Sequence, residues 1–300
     1  MQKIYNISIL LSFIGLWITS YLSGTTEIIL GFILIFSFGM LHGSNDVLLI
    51  NTISKTQHKS ALIKILSIYL LTVFSAVVIF YYLPLIALIL FIIFSAFHFG
   101  EQHWENKNLN LPKSVYNIFY FIYGLLVLQT LFILNTKEVI EIVNSIANYN
   151  ITDTLINYSF IITLITYLIF NVYLIINNFK SLLVVFFTEL FYFVVFAVIF
   201  KVSTLIWGFT IYFIFWHSIP SLFEQVSFIY EDFNKKTIIK YCMNAFPYWI
   251  ISLAGISIVY YFFKDDKMFY GIFFSFIAAV TFPHALVINK MFLHKKSTIK

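Results

Sequence analysis

The sequence is a succession of apolar runs, each close to the length of a bilayer crossing. A spanning helix needs roughly 20 consecutive, mostly apolar residues. Runs of that order occupy 4–22, 27–44, 61–82, 84–100, 115–135, 155–177, 181–200, 202–222, 244–263 and 268–290. Polar or turn-forming breaks separate them: Ser23-Gly24, the 51–59 segment, Leu83-Pro84, the 101–113 segment, 136–154 and 224–243. Lys180, Lys201 and Lys264-Asp265-Asp266-Lys267 mark shorter turns. Hydrophobic residues make up 61% of the chain and charged residues only 10%, a surface that water cannot solvate. Lipid must therefore be the solvent. The expected fold is all-α, a polytopic integral membrane bundle of about ten transmembrane helices, with 1–300 forming a single transmembrane domain.

Charge gives the orientation. Cytoplasmic loops of membrane proteins carry an excess of positive residues. With ten spans and the N-terminus inside, four lysines (Lys137, Lys201, Lys264 and Lys267) fall outside and the other 14 inside. This asymmetry predicts a multi-pass protein of the cytoplasmic (inner) membrane with both termini cytoplasmic. Lys3 and the apolar run to Leu22 read as a retained first helix, because Ser20-Tyr21-Leu22-Ser23-Gly24 is a poor signal cleavage site. The net charge of +5 comes from lysine alone. Phosphate recognition favours the planar fork of arginine, so no nucleic-acid partner is expected. One cysteine, Cys242, excludes an internal disulfide. The segment 136–154 is expected to form a short amphipathic helix on the outer face, and 224–243 a charged cytoplasmic connection or the end of a helix protruding from the membrane.

The polar residues that remain inside the spans are few, and four are histidines. They stand in Leu41-His42-Gly43-Ser44-Asn45-Asp46, Phe97-His98-Phe99-Gly100-Glu101, Trp216-His217-Ser218 and Phe282-Pro283-His284. Counted from the outer ends of spans two, four, eight and ten, His42, His98, His217 and His284 lie 15, 14, 16 and 17 residues in. At 1.5 Å per residue this is roughly 21–26 Å, one shared layer in the cytoplasmic third. Four imidazoles at one depth suit a metal site built in a helix bundle, and imidazole suits iron, copper, zinc and nickel. Metal-bound histidines usually donate their second nitrogen to an acceptor. Asp46, four after His42, Glu101, three after His98, and Glu189 in span seven are the carboxylates within reach. Gly39, Gly43, Gly100, Ser218, Pro220 and Pro283 let backbones approach closely or bend a helix. Any one of these histidines alone would equally serve as an interhelical hydrogen-bonder. His58 and His294 read as solvent-exposed, and His103 stays open between an off-face position and service to the site.

These four motifs, in this order, resemble those of the bacteriorhodopsin-related-protein (Brp/Blh) family of membrane-embedded β-carotene 15,15′-dioxygenases. The resemblance runs from span two to span ten. It implies an Fe(2+) site of histidines, with His42, His98, His217 and His284 as metal ligands. Asp46, Glu101 and Glu189 then orient ligands or relay protons. Dioxygen is the implied co-substrate and β-carotene, drawn from the bilayer, is cleaved centrally to two retinals. One departure stands out: the family's third motif often carries another histidine four residues after the first, and here that position is Ser221. A different ligand set, another polyene or lost activity all remain compatible with that change.

Two other classes compete with this reading. A two-iron desaturase or hydroxylase needs paired histidines such as HxxxH or HxxHH, which the chain lacks. A transporter, or a retinal-protein assembly factor without catalysis, would use the polar layer as a passage or docking site. Transporters often show internal repeats, and none is visible.

Overall fold

The computed structural model describes residues 2–54, 59–107, 112–177, 179–263 and 269–298. The turn read at 264–267, Lys55, Lys300 and His58, which the sequence places in solvent, lie outside the described residues. Among the described residues the secondary structure is helical. The helices are α1 (Gln2–Thr19), α2 (Gly24–Leu34), α3 (Asp46–Ser54), α4 (Lys59–Tyr82), α5 (Pro84–Trp104), α6 (Lys113–Leu134) and α7 (Thr136–Ala147). They continue with α8 (Asp153–Asn177), α9 (Phe179–Val202), α10 (Leu205–Ile211), α11 (Ile219–Tyr230), α12 (Lys235–Phe263) and α13 (Phe269–Thr298). Among the described residues, eight helical stretches are long and apolar enough to cross a bilayer, and two shorter apolar helices, Lys3–Thr19 and Ser67–Tyr82, accompany them. The chain is thus a polytopic all-α protein.

The breaks fall where backbone chemistry demands. Pro84 opens α5, a position where its missing N–H costs nothing. Thr204 caps α10, its hydroxyl accepting from the Trp207 N–H. Asn234 and Thr237 cap α12 reciprocally, each side chain accepting the other's backbone N–H at 3.0 Å. The amphipathic helix expected near 136–154 is α7, which buries Val139 and Ile142.

The stretch 224–243 takes the helical one of its two readings: α11 runs to Tyr230, Glu231 turns left-handed at φ 58°, and α12 begins at Lys235. Other boundaries differ from the sequence reading. Helices continue past the apolar runs at 27–44, 84–100 and 268–290, because hydropathy falls at the edge of lipid whereas hydrogen bonding ends at a cap. His42, His217 and His284 consequently lie about midway along the stretches 24–54, 205–230 and 269–298 rather than near their ends. Pro283 sits inside α13 and does not end it. His294 is half-buried, its ring 6.0 Å from Phe228.

The chain divides into two compact units. The first comprises Met1–Ile33, Ser95–Asn144 and Asn150–His217; the second Leu34–Phe94, Ser145–Tyr149 and Ser218–Lys300. In the first, α6 packs along α8 and α9, and α1 and α10 pack on α9. Two glycines set the contact of α5 with α6. A Cβ on Gly100 would strike the Tyr120 carbonyl, and one on Gly124 the Ala96 carbonyl. Only hydrogen at both positions allows that approach. Two carboxylates close the start of α10: Glu27 accepts from the Thr204 N–H and Glu138 from the Leu205 N–H, each at 2.9 Å. In the second unit, α13 lies along α4 and α3, and α12 touches α11, α13 and the turn at Gly43–Asn45.

Three irregular turns interrupt the helices beside histidines. Ile35–Gly39 and Tyr212–Ser218 are π-helical, and Gly43–Asn45 is a single 3₁₀ turn with His42 at its start. Pro220 explains the second: in a regular helix its ring would collide with the Trp216 carbonyl, and widening the turn relieves the clash. Widening frees carbonyls, which lipid cannot satisfy. Side chains take them instead. In the second unit, the Trp249 indole donates to the Ser37 carbonyl and the Tyr241 hydroxyl to that of His42, at 2.8 and 2.9 Å. In the first unit, the Ser8 hydroxyl donates to the Phe215 carbonyl.

Candidate functional site

The four predicted histidines are all buried, none more than 4% exposed, and the structure gives them as two pairs, one in each unit. In the second unit the rings of His42 and His284 meet edge to face, centroids 4.9 Å apart and planes at 81°. The 3₁₀ turn presents His42 and α13 presents His284. The Gly43 α-carbon faces the His284 ring, and a Cβ there would meet Nδ1 at 3.7 Å, an ordinary van der Waals contact.

Asp46 joins this pair through His284, not through His42, the histidine it follows by four. Nδ1 of His284 lies 2.7 Å from Asp46 Oδ1, and the Tyr69 hydroxyl donates to Oδ2 at 3.2 Å. A carboxylate only accepts, so Nδ1 is the donor, and a ring in that tautomer has its lone pair on Nε2. Behind His42 a second chain of hydrogen bonds holds the backbone. The Tyr241 hydroxyl lies between the His42 carbonyl and Gln225 Oε1, 2.9 and 2.8 Å away. The Gln225 amide donates to Ser221 Oγ at 3.0 Å, and Asn45 donates to the Tyr241 carbonyl at 2.9 Å. Ser221, where the family resemblance expects a histidine, is thus a fully buried member of the scaffold around His42.

In the first unit His98, from α5, and His217, from the π-helical turn, lie with centroids 4.6 Å apart and planes at 74°. Phe213 stacks on the His217 ring at 5.4 Å, and Phe99 packs against it at 4.7 Å. These rings exclude water from the imidazoles. Glu101, one turn after His98, is buried on the same helix.

Glu189 belongs to another cluster of this unit. Its Oε2 lies 2.8 Å from Nε2 of His103 and accepts from the Tyr123 hydroxyl at 3.0 Å, while Oε1 pairs with the Lys107 ammonium. That ammonium also lies 2.9 Å from His103 Nε2 and 4.2 Å over the Trp104 ring. The His103 ring stacks on Tyr123, centroids 4.8 Å apart. Burial pulls the Lys107 pKa below the ordinary lysine value, against the opposing pull of Glu189. One carboxylate and one ammonium leave the cluster neutral, which an apolar setting tolerates. His103 therefore serves Glu189. Lys107, four residues after His103 and just past the end of α5, is the sequence clue to this cluster. Tyr69 had none, being one hydroxyl among 20 tyrosines.

Among the described residues, no group of three or more His, Cys, Asp or Glu side chains forms a ready-made metal cage. The imidazoles come two by two.

Fold and clusters together define a polytopic membrane protein with paired, buried imidazoles. The chain belongs to the beta-carotene 15,15′-dioxygenase family, whose sequence model matches residues 33–292 and so spans all four histidine motifs. No curated protein and no solved structure matches it.

Proposed function

We propose that this protein is a membrane-embedded, Fe(2+)-dependent dioxygenase that cleaves β-carotene at its central double bond into two retinals. The family match over residues 33–292 carries this reading. The chemistry of the buried donors supports it: imidazole nitrogens, shielded by aromatic rings, form a donor set that suits iron. His42, His98, His217 and His284 are the proposed ligands. Iron bound there would supply the activation of dioxygen that carbon side chains cannot perform.

The remaining work falls to the chain. Asp46 fixes the His284 ring and its tautomer, leaving Nε2 as the ligating atom. Tyr69 in turn holds Asp46. Tyr241, Gln225 and Ser221 hold the backbone turn that presents His42. Phe99 and Phe213 keep water from His217. A hydrocarbon as apolar as a carotene reaches the protein through the bilayer and need never meet water. Glu189 acts at a remove from these imidazoles, tying α5 to α9 through His103 and Lys107.

Production of the protein in a host that makes β-carotene tests the function. Loss of the carotene colour with formation of retinal is the expected outcome. Unchanged pigment, with the protein present in the membrane, would overturn it. The alternative of a transporter or assembly factor predicts that second result, together with no bound iron.

A further inference from the structure

One cavity in the second unit is not used by this account. It is a groove of about 170 Å³ walled by α3, α4 and α13. Ile50 and Ile53 form one side, Tyr69 and Thr72 the second, and Pro283 and Leu286 the third. Its mouth is marked by Ile68 and Leu286, 54% and 50% exposed, so in a bilayer it opens onto acyl chains.

Three features define what the groove can hold. The first is polarity. Apart from the exposed Lys290, its polar side chains are two hydroxyls already committed as donors, that of Tyr69 to Asp46 and that of Thr72 to the Ile68 carbonyl at 2.9 Å. The walls therefore offer hydrocarbon contact, and a ligand bearing polar groups would lose hydrogen bonds on entry. The second is size. An apolar cavity of about 150 Å³ accommodates benzene, so this groove accommodates one six-membered hydrocarbon ring and not an entire polyene. The third is position. Pro283 immediately precedes His284, and Tyr69 reaches that histidine through Asp46. Ile50 and Ile53 follow Asp46 by one and two turns, roughly 6–10 Å along α3.

We propose that the groove seats one cyclic end of the carotene, so that the ring, rather than the polyene, sets which double bond is presented to the imidazoles. The proposal rests on the reading of the chain as a carotene-cleaving enzyme and adds a substrate subsite to it. Ile50, Thr72 and Leu286 are then specificity residues, and the selected substrate is a ring-ended polyene.

Filling the groove tests this. Thr72→Phe and Leu286→Trp project bulk into it from two different helices, and Val77→Phe adds a ring on α4 at a lipid-facing position outside it. Binding of β-carotene to the purified, iron-loaded protein is measured without oxygen, from the absorption of the retained pigment. Iron content and thermal unfolding are followed alongside. The expected result is an affinity at least tenfold lower in both groove variants and within twofold of the unaltered protein in Val77→Phe, with iron content unchanged. Should one variant fail to fold, the other carries the test from its own helix. Unaltered affinity in the groove variants, with cleavage intact, would overturn the subsite and leave the enzymatic reading standing. The same holds if only the co-purifying lipid changes, which would make an acyl chain the occupant. An unaltered protein that neither binds nor cleaves the carotene would overturn both.

Discussion

At the scale of single residues, the structure separates carboxylates that the sequence groups together. Asp46 accepts the Nδ1 proton of His284 and in turn accepts from Tyr69. Loss of such an acceptor typically costs 10–100-fold in metal affinity. Asp46→Asn is expected to weaken iron retention within that range while the protein still folds, read by competition with a chelator. Iron retention equal to the unaltered protein would remove Asp46 from its positioning role. Glu189 should behave in the opposite way. It lies buried between His103, Tyr123 and Lys107, so Glu189→Ala strands a mostly buried ammonium. Breaking such a pair costs on the order of 3–5 kcal/mol. The expected signature is a lower unfolding temperature in detergent, with iron still bound by the fraction that folds. Replacing Lys107 with Met in the same chain should recover part of that loss, because no charge is then left unpaired.

At the scale of elements, irregular turns and close contacts place the imidazoles. The π-helical turn at Tyr212–Ser218 exists because Pro220 cannot sit in a regular turn beneath Trp216, and it carries His217. Gly100 and Gly124 bring α5 against α6, and α5 carries His98. Gly100→Ala is expected to destabilise by about 1–3 kcal/mol or more, since overpacking against a carbonyl leaves nothing soft to yield. Wild-type thermal stability in that variant would contradict the contact. The start of α10 offers a pH test. Burial raises the Glu138 pKa above 4.5, against the opposing hydrogen bond from Leu205. A raised carboxyl pKa means the folded state holds its proton to higher pH than the unfolded one. This contribution therefore favours folding below pH 4.5 and fades as pH rises through the folded value. Glu138→Gln keeps an acceptor for Leu205 and should flatten that part of the stability–pH curve, measured as the difference between the two proteins. Much at this scale was legible in the sequence: the runs, the break at Leu83-Pro84 and the amphipathic α7. The π-helical turns were not. At Tyr212–Ser218 a proline signals distortion but not whether the helix ends or widens, and that choice depends on Ser8, distant in the chain, taking a freed carbonyl. Ile35–Gly39 has no proline to signal it, and Trp249 takes its Ser37 carbonyl.

At the scale of the whole molecule, composition fixed the class, since 61% hydrophobic residues leave no solvent but lipid. The order of the histidine motifs led to the family, and the match over residues 33–292 established it. The sequence could not assign partners. Nothing in local spacing reveals that Asp46, four residues after His42, turns to His284 across 238 positions of chain. Nor does spacing show that Ser221 joins the bonds behind His42. Pairing of that kind is decided by helix packing, which a hydropathy pattern underdetermines. The proposed reaction nevertheless has a single physical requirement, that His42, His98, His217 and His284 bind iron. Metal analysis of the purified protein, repeated with each histidine changed to alanine, tests it. One iron per chain in the unaltered protein, and a marked loss in each of the four variants, is the result expected. Full iron in any folded variant would remove that histidine from the ligand set, and no iron in the unaltered protein would contradict the account as a whole.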